Sequence, residues 1–135
     1  MNIALAFITA LSLLGWHGTG RADAGDDLAR RQALYESQCM KCHAVSTNEV
    51  GPRHQNVVGR RAGSVPDFVY STALKQSKVV WTEEMLDRWL SNPEALIPGQ
   101  EMDVQVRSAE ERRLLIAYLK SQSTSTSPPT LTSKH

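Results

Sequence analysis

The sequence predicts an all-α domain with long loops. Two observations carry this. Apolar residues recur at helical spacing in separate segments, each opened by a capping residue or an acidic pair. The stretches between are broken by Gly and Pro and lack the two-residue alternation of strands.

In chain order, Ile3 to Trp16 is an apolar run of 14 residues. It is followed by a polar stretch and Ala22-Asp23-Ala24, the small-x-small form of a signal-peptidase site. Residues 1–24 therefore read as a leader cleaved after Ala24, with Gly25 as the mature start. An uncleaved anchor is the rival, but the run is shorter than the ~20 residues that span a bilayer. Asp26 to Gln38 reads as a helix, with acidic residues at its N-terminus and Leu28 and Tyr35 on one face. Glu49 to Gly63 reads as loop, broken by Gly51-Pro52, Gly59 and Gly63. Ser71 to Gln76 fits a short helix. Thr82 caps a stronger one, with Glu83 and Glu84 in its first turn and Met85, Leu86, Trp89 and Leu90 on one face. Asn92-Pro93 ends it, and Ile97-Pro98-Gly99 is a turn. Ser108-Ala109-Glu110-Glu111 forms a capping box for a last helix through Lys120, with Leu115, Tyr118 and Leu119 inward. Residues 122–135 hold one apolar side chain and two prolines and read as a disordered Ser/Thr/Pro-rich tail. The domain is then residues 25–121.

With 15 basic and 14 acidic side chains, net charge selects no partner. Lys and Arg form no long run and few aromatics are available for stacking, so nothing points to nucleic acid.

The chemistry lies in Cys39-Met40-Lys41-Cys42-His43, which holds the only two cysteines of the chain. Cys-x-x-Cys-His is the attachment signature of c-type haem. Two thiols on one turn can each add to a vinyl group of one porphyrin, and the next imidazole then reaches the iron from the same face. A thioredoxin-like pair would need a βαβ context. Zinc would need four suitably spaced ligands, and a plain disulfide leaves His43 unexplained. Covalent haem also gives the long loops something to wrap.

A haem held by His needs a second axial ligand, and that ligand decides the function. Met40 lies between the cysteines on the His43 side. Met85 sits on an amphipathic helix, where Met usually fills core. His54, close behind His43 in a loop, belongs at the surface. Met102 stands in a loop 59 residues beyond His43, between Glu101 and Asp103 and off any apolar stripe, and is the favoured candidate.

The chain resembles the class I cytochromes c over about Leu34 to Lys120, in its bacterial relatives of the mitochondrial protein. The resemblance rests on Cys39–His43, Gly51-Pro52, Gly59-Arg60, Tyr70, Trp81, Asn92-Pro93, Ile97-Pro98-Gly99-x-x-Met102 and Leu115-Ile116-Ala117-Tyr118-Leu119, in this order and spacing. It implies the small cytochrome c fold: three main helices plus short helices and long loops around one covalent haem c. It implies thioethers at Cys39 and Cys42, His43 and Met102 as axial ligands, and the Pro52 carbonyl as acceptor for His43 Nδ1–H. Arg60, Tyr70 and Trp81 would meet the haem propionates, whose buried charge needs a cation and donors. Solvated charge for Arg60, and aromatic packing for Tyr70 and Trp81, are the plain alternatives. Trp89 would pack on the Met102 side, and Tyr118 and Leu115 would meet Tyr35.

Several positions depart from that pattern. Arg31 stands where a Gly usually allows the first and last helices to cross closely, so it should widen the crossing or snorkel. Trp89 and Leu74 replace polar residues and make the pocket more apolar, which disfavours Fe(III). Gln100 and Glu101 replace the Thr and Lys of mitochondrial proteins, and Gln100 could loosen the Met102 loop. The resemblance implies a monomeric periplasmic one-electron carrier, not an enzyme. Its partners would be redox proteins such as membrane respiratory complexes or periplasmic oxidoreductases. Glu94, Glu101 and Asp103 near the Met102 loop disfavour a strongly acidic docking partner. A subunit dedicated to one oxidoreductase, and a haem enzyme or gas sensor with a labile Met102, are the other readings.

Overall fold

The computed structural model describes residues 23–123. The expected leader (1–24) and tail (122–135) lie outside these residues, apart from two positions at each boundary. Among the described residues five helices follow one another: α1 (Asp23–Gln38), α2 (Thr72–Gln76), α3 (Glu83–Ser91), α4 (Pro93–Leu96) and α5 (Ala109–Ser121). The architecture is the expected one: three main helices, short helices and long loops.

Local chemistry sets most helix starts. Ser71 Oγ accepts from Leu74 N–H at 3.3 Å, Thr82 Oγ1 from Met85 N–H at 3.1 Å and Ser108 Oγ from Glu111 N–H at 3.3 Å. Each satisfies an N–H that has no partner inside its helix. Asn92-Pro93 ends α3 as expected but also opens α4. Asn92 Oδ1 accepts from Ala95 N–H at 3.1 Å, and Pro93 occupies a first-turn position where its missing N–H costs nothing. The same dipeptide that stops one helix caps the next. α1 starts at Asp23, ahead of the expected Asp26.

The core gathers Tyr35 from α1, Leu86, Trp89 and Leu90 from α3, and Leu115, Ile116, Tyr118 and Leu119 from α5. Val57, Ala62, Trp81, Ile97 and Val106 from the loops complete it. α5 is the hub, packing on both α1 and α3. Tyr35 and Tyr118 meet with ring centroids 4.6 Å apart, as expected. Leu28 does not share Tyr35's fate: it is 48% exposed against 1% for Tyr35. Helical spacing sets the face a residue occupies, not whether a partner reaches that far along the helix.

Arg31 takes the snorkelling route. Its guanidinium pairs with Asp27 one turn earlier, while its Nε is buried without a hydrogen-bond partner. α1 still packs on α5, so the long side chain is accommodated at the cost of one stranded donor.

The loops are tied down by their own backbone. Gly59–Ala62 runs antiparallel to Val79–Trp81 around an isolated bridge from Arg61 to Val80. Gly59 N–H reaches Trp81 O at 3.0 Å, Trp81 N–H reaches Arg60 O at 2.9 Å, and Ala62 N–H reaches Val79 O at 2.8 Å. Arg60 and Trp81, 21 positions apart in sequence, thereby become neighbours. Among the described residues, no helix is long and apolar enough to cross a membrane.

Candidate haem site

α1 does not stop at its last residue but winds on into the cysteine motif. Cys39 N–H donates to Tyr35 O at 2.8 Å, Cys42 N–H to Cys39 O at 3.1 Å and His43 N–H to Cys39 O at 2.9 Å. This tight turn carries both thiols and the imidazole within the five residues Cys39 to His43. Both cysteines are free thiols, Cys39 part-buried and Cys42 exposed. Burial pushes the Cys39 thiol up to about 11, so it is protonated and apolar in character at neutral pH. Among the described residues, no group of three His, Cys, Asp or Glu side chains could hold a metal ion by itself.

His43 is held on three sides. Its Nδ1–H donates to the Pro52 carbonyl at 2.8 Å, the contact the resemblance implied. That bond fixes the tautomer and leaves Nε2 as the free lone pair for a metal. Burial favours the neutral ring and lowers its pKa, against the Pro52 bond, which raises it. The second side is Gly51. A Cβ there would stand 2.5 Å from His43 Nδ1 and 2.6 Å from Nε2, so only glycine lets this backbone pass the ring. Gly51 N–H donates to Cys42 O at 2.7 Å and locks the loop against the motif.

The third side is His54, expected at the surface and found half-buried. Its ring stacks on His43 with centroids 4.1 Å apart and planes 20° from parallel. Tyr35 Oη and His54 Nδ1 share a hydrogen bond of 3.0 Å. Burial, helped by the nearby His43 and Arg60, holds its pKa down at about 3, so the ring is neutral. The cause is backbone pairing: His54 N–H reaches Ala44 O at 3.0 Å and Gln55 N–H reaches Val45 O at 2.7 Å. Those bonds lay the loop beside the residues that follow His43. His54 therefore lies on the His43 side of the candidate site.

The other Met candidates separate as well. Met40 is 54% exposed. Met85 packs on the core edge, with its sulfur 3.9 Å from Arg88 Nη1 on the same helix. Met102 packs half-buried against the core from the loop after α4. That loop is braced. Gly99, at φ +83, donates its N–H to Glu94 Oε1 at 3.0 Å, and Met102 N–H donates to Gln100 Oε1 at 2.5 Å. Gln100, which in the sensor reading could loosen the loop, instead accepts from Met102 N–H and closes a local turn.

The three residues expected at the propionates lie together, and Arg60 and Tyr70 already carry hydrogen bonds to the backbone. Arg60 donates from Nη1 to Gln55 O at 2.8 Å and from Nη2 to Arg53 O at 2.9 Å. Tyr70 Oη accepts from Val65 N–H at 3.3 Å. Arg60 and Arg53 both lie near enough to Tyr70 to favour its ionised form, against burial, which raises its pKa. Trp81 stacks obliquely on Trp89 with centroids 5.1 Å apart. Arg53 is a second cation that the sequence reading missed. Its position in a loop, with no helical or strand period, carried no signal.

These features fit a covalently held haem. Two free thiols flank a turn, an imidazole offers Nε2 with Nδ1 already satisfied, and a glycine makes room where any side chain would collide. The cations near Tyr70 suit buried carboxylates.

Comparison with known proteins agrees. A family model described as cytochrome c matches residues 28–123. Cytochrome c2 of Rhodomicrobium vannielii is 41% identical over 113 residues, covering 81% of this chain and 88% of that protein. Cytochrome c2 of Afifella marina is 39% identical over 111 residues, covering 77% and 89% respectively. Among solved structures, cytochrome cH from Methylobacterium extorquens superposes with a TM-score of 0.66 at 33% identity, covering 70% of this chain and 98% of that one.

Proposed function

The chain belongs to the cytochrome c family, haem c proteins that carry electrons rather than catalyse reactions, and on that premise we propose a periplasmic one-electron carrier with its haem between His43 and Met102. Cys39 and Cys42 hold the group by thioethers. Bound, the haem supplies an Fe(III)/Fe(II) couple, whose potential a His/Met ligand pair raises.

The observation that carries the reading is the Pro52 carbonyl on His43 Nδ1, 2.8 Å away. It presents Nε2 as the donor and makes the imidazole a stronger ligand. Met102 supports the other half: it is the one methionine of the candidates that is half-buried in a braced loop. Filling both axial positions leaves no open coordination site for a substrate. Trp81, Trp89 and Leu74 line an apolar interior that disfavours the extra positive charge of the oxidised state. Arg60 and Arg53 supply positive charge where carboxylates of the cofactor would otherwise be buried unpaired.

Residues 1–24 support export by their leader pattern, and a compartment with oxidising thiol chemistry suits a Cys-x-x-Cys pair. Redox proteins are the partners, among them membrane respiratory complexes or periplasmic oxidoreductases, met by a monomer in short encounters. The Glu94 and Gln100 bracing favours the carrier over a sensor with a labile Met102.

The test is optical. The oxidised holoprotein shows a far-red charge-transfer band from sulfur to Fe(III), and Met102→Ala abolishes it, lowers the potential and admits CO to the reduced form. A Met102→Ala protein with an unchanged band and potential refutes the ligand assignment.

A further inference from the structure

We propose that Tyr35 and His54 form a positioning pair for the axial imidazole: their hydrogen bond holds the His54 ring flat against His43, and this sets the His43 orientation and the reduction potential. The inference rests on His43 being an iron ligand, as proposed above.

The reasoning begins with degrees of freedom. The Pro52 bond pins one edge of the His43 ring, which leaves the ring free to tilt about that edge. A planar neighbour on its face removes the tilt. His54 provides that neighbour at 4.1 Å and 20°, and Gly51 closes another side. A stacked ring is useful only if it is itself fixed. Its backbone is tied to Ala44 by the His54 N–H bond of 3.0 Å, and its Nδ1 is tied to Tyr35 at 3.0 Å. Tyr35 is 1% exposed and packs on Tyr118 of α5. The wall behind the axial ligand is thus anchored in the α1–α5 crossing.

Plain core filling does not account for the pair. A leucine at 54 and a phenylalanine at 35 would fill similar space without burying an imidazole and a hydroxyl. Two polar groups that satisfy each other in a part-buried contact add little net stability over apolar ones. What they add is a defined geometry and a polarisable face on the ligand, and groups surrounding a metal's ligands tune the metal. An apolar replacement removes that polar face, disfavours the oxidised state and raises the potential.

The test is a double-mutant cycle on the holoprotein, Tyr35→Phe and His54→Leu, singly and together. The readouts are the midpoint potential and the hyperfine-shifted haem methyl resonances of the oxidised form, whose spread follows axial-ligand orientation. Far-UV circular dichroism and haem content check the fold. His54→Leu should shift the reduction equilibrium at least threefold toward Fe(II), about 28 mV at 59 mV per decade for one electron. Tyr35→Phe should shift it in the same direction by less, should reorder the methyl resonances, and should add nothing in the His54→Leu background. Unchanged potentials and methyl patterns overturn the inference, as do two single shifts that simply add. Tyr35→Phe removes one oxygen atom and carries the test alone if His54→Leu loses haem. Loss of His43 ligation in the unsubstituted holoprotein would refute both readings. Intact ligation with an unmoved cycle refutes this one only.

Discussion

Gly51→Ala is the sharpest probe of the His43 wall. The backbone at this position is not left-handed, so alanine meets no conformational penalty there. The whole effect must come from the methyl group. It would lie 2.5 Å from Nδ1 and 2.6 Å from Nε2 of His43, nearly 1 Å inside ordinary van der Waals contact. The ring has little freedom to shift, with His54 stacked on one face and its Nδ1 held by Pro52 O. Either His43 turns away from Pro52 or the loop moves. Turning away strands a part-buried imidazole N–H and a carbonyl, about 1–3 kcal/mol. Overpacking the remainder adds about 1–3 kcal/mol. The sum, roughly 2–6 kcal/mol, is a large share of a small domain's ~5–15 kcal/mol. Guanidinium unfolding of the holoprotein should show a clear drop in midpoint at constant slope, together with perturbed haem methyl resonances. Gly59→Ala is the matched control. Gly59 has φ +85 and open space around its Cβ position, so its loss is only the ~1–2 kcal/mol of a left-handed alanine, with the haem spectrum unchanged. A Gly51→Ala protein as stable as the parent, with an unaltered spectrum, refutes the close-approach reasoning.

Other perturbations follow from the same contacts. Arg112 is 12% exposed at its side chain, bonds Asp87 at 2.7 Å and donates to the carbonyls of Val106 and Arg107 at 3.0 and 2.9 Å. Arg112→Ala should therefore cost roughly 2–4 kcal/mol by chemical denaturation. Lys120→Ala, which breaks the exposed pair with Glu83, should cost under about 1 kcal/mol; equal losses would show that burial does not decide the ranking. Arg31→Leu removes the stranded Nε and should leave stability unchanged or raise it by about 1 kcal/mol. A drop larger than that in a thermal melt would mean that the Asp27 pair matters more than the burial.

Much of this architecture was written in local signals. Thr82 and Ser108 cap where a hydroxyl precedes an acidic first turn, and those helices appear within a residue of expectation. Cys39-x-x-Cys42-His43 is a five-residue statement that no tertiary contact can alter. Pro52 behind His43 came with the family pattern, and the hydrogen bond is there. What stayed illegible depends on which distant segments meet. Leu28 has the right spacing and no partner. His54 looks like a polar loop residue until its backbone pairs with Ala44 and Val45, after which it is half of a stacked pair. Asn92-Pro93 was read as a stop because the short α4 has too few residues to show a period. Gln100 looked like a weakening substitution, because side chain to backbone bonds within a loop leave no mark in composition.

The two sides of the site are built by different means, and that bears on how each should respond to change. On the His43 side every wall is supplied from outside the motif: Pro52 and Gly51 from one loop, His54 further along it, and Tyr35 from α1 backed by Tyr118 of α5. Displacing His43 requires several of these to move together, so cost is shared and the response is cooperative. On the Met102 side the ties beside the methionine are short-range, Glu94 to Gly99 and Gln100 to Met102, and further on Val106 N–H pins the loop to Leu90 O of α3 at 2.7 Å. Glu94 is itself exposed. Around Met102 the chain is held by its near neighbours and by packing of Met102 on the core, so a substitution there acts locally and leaves the helix crossing in place. The Met102 loop is thus the locally built half of the candidate site, and the His43 wall is the half built from distant segments. Tuning of the potential by substitution near Met102 should leave global stability almost untouched, whereas any tuning through Tyr35 or His54 draws on the packing that holds α1 to α5.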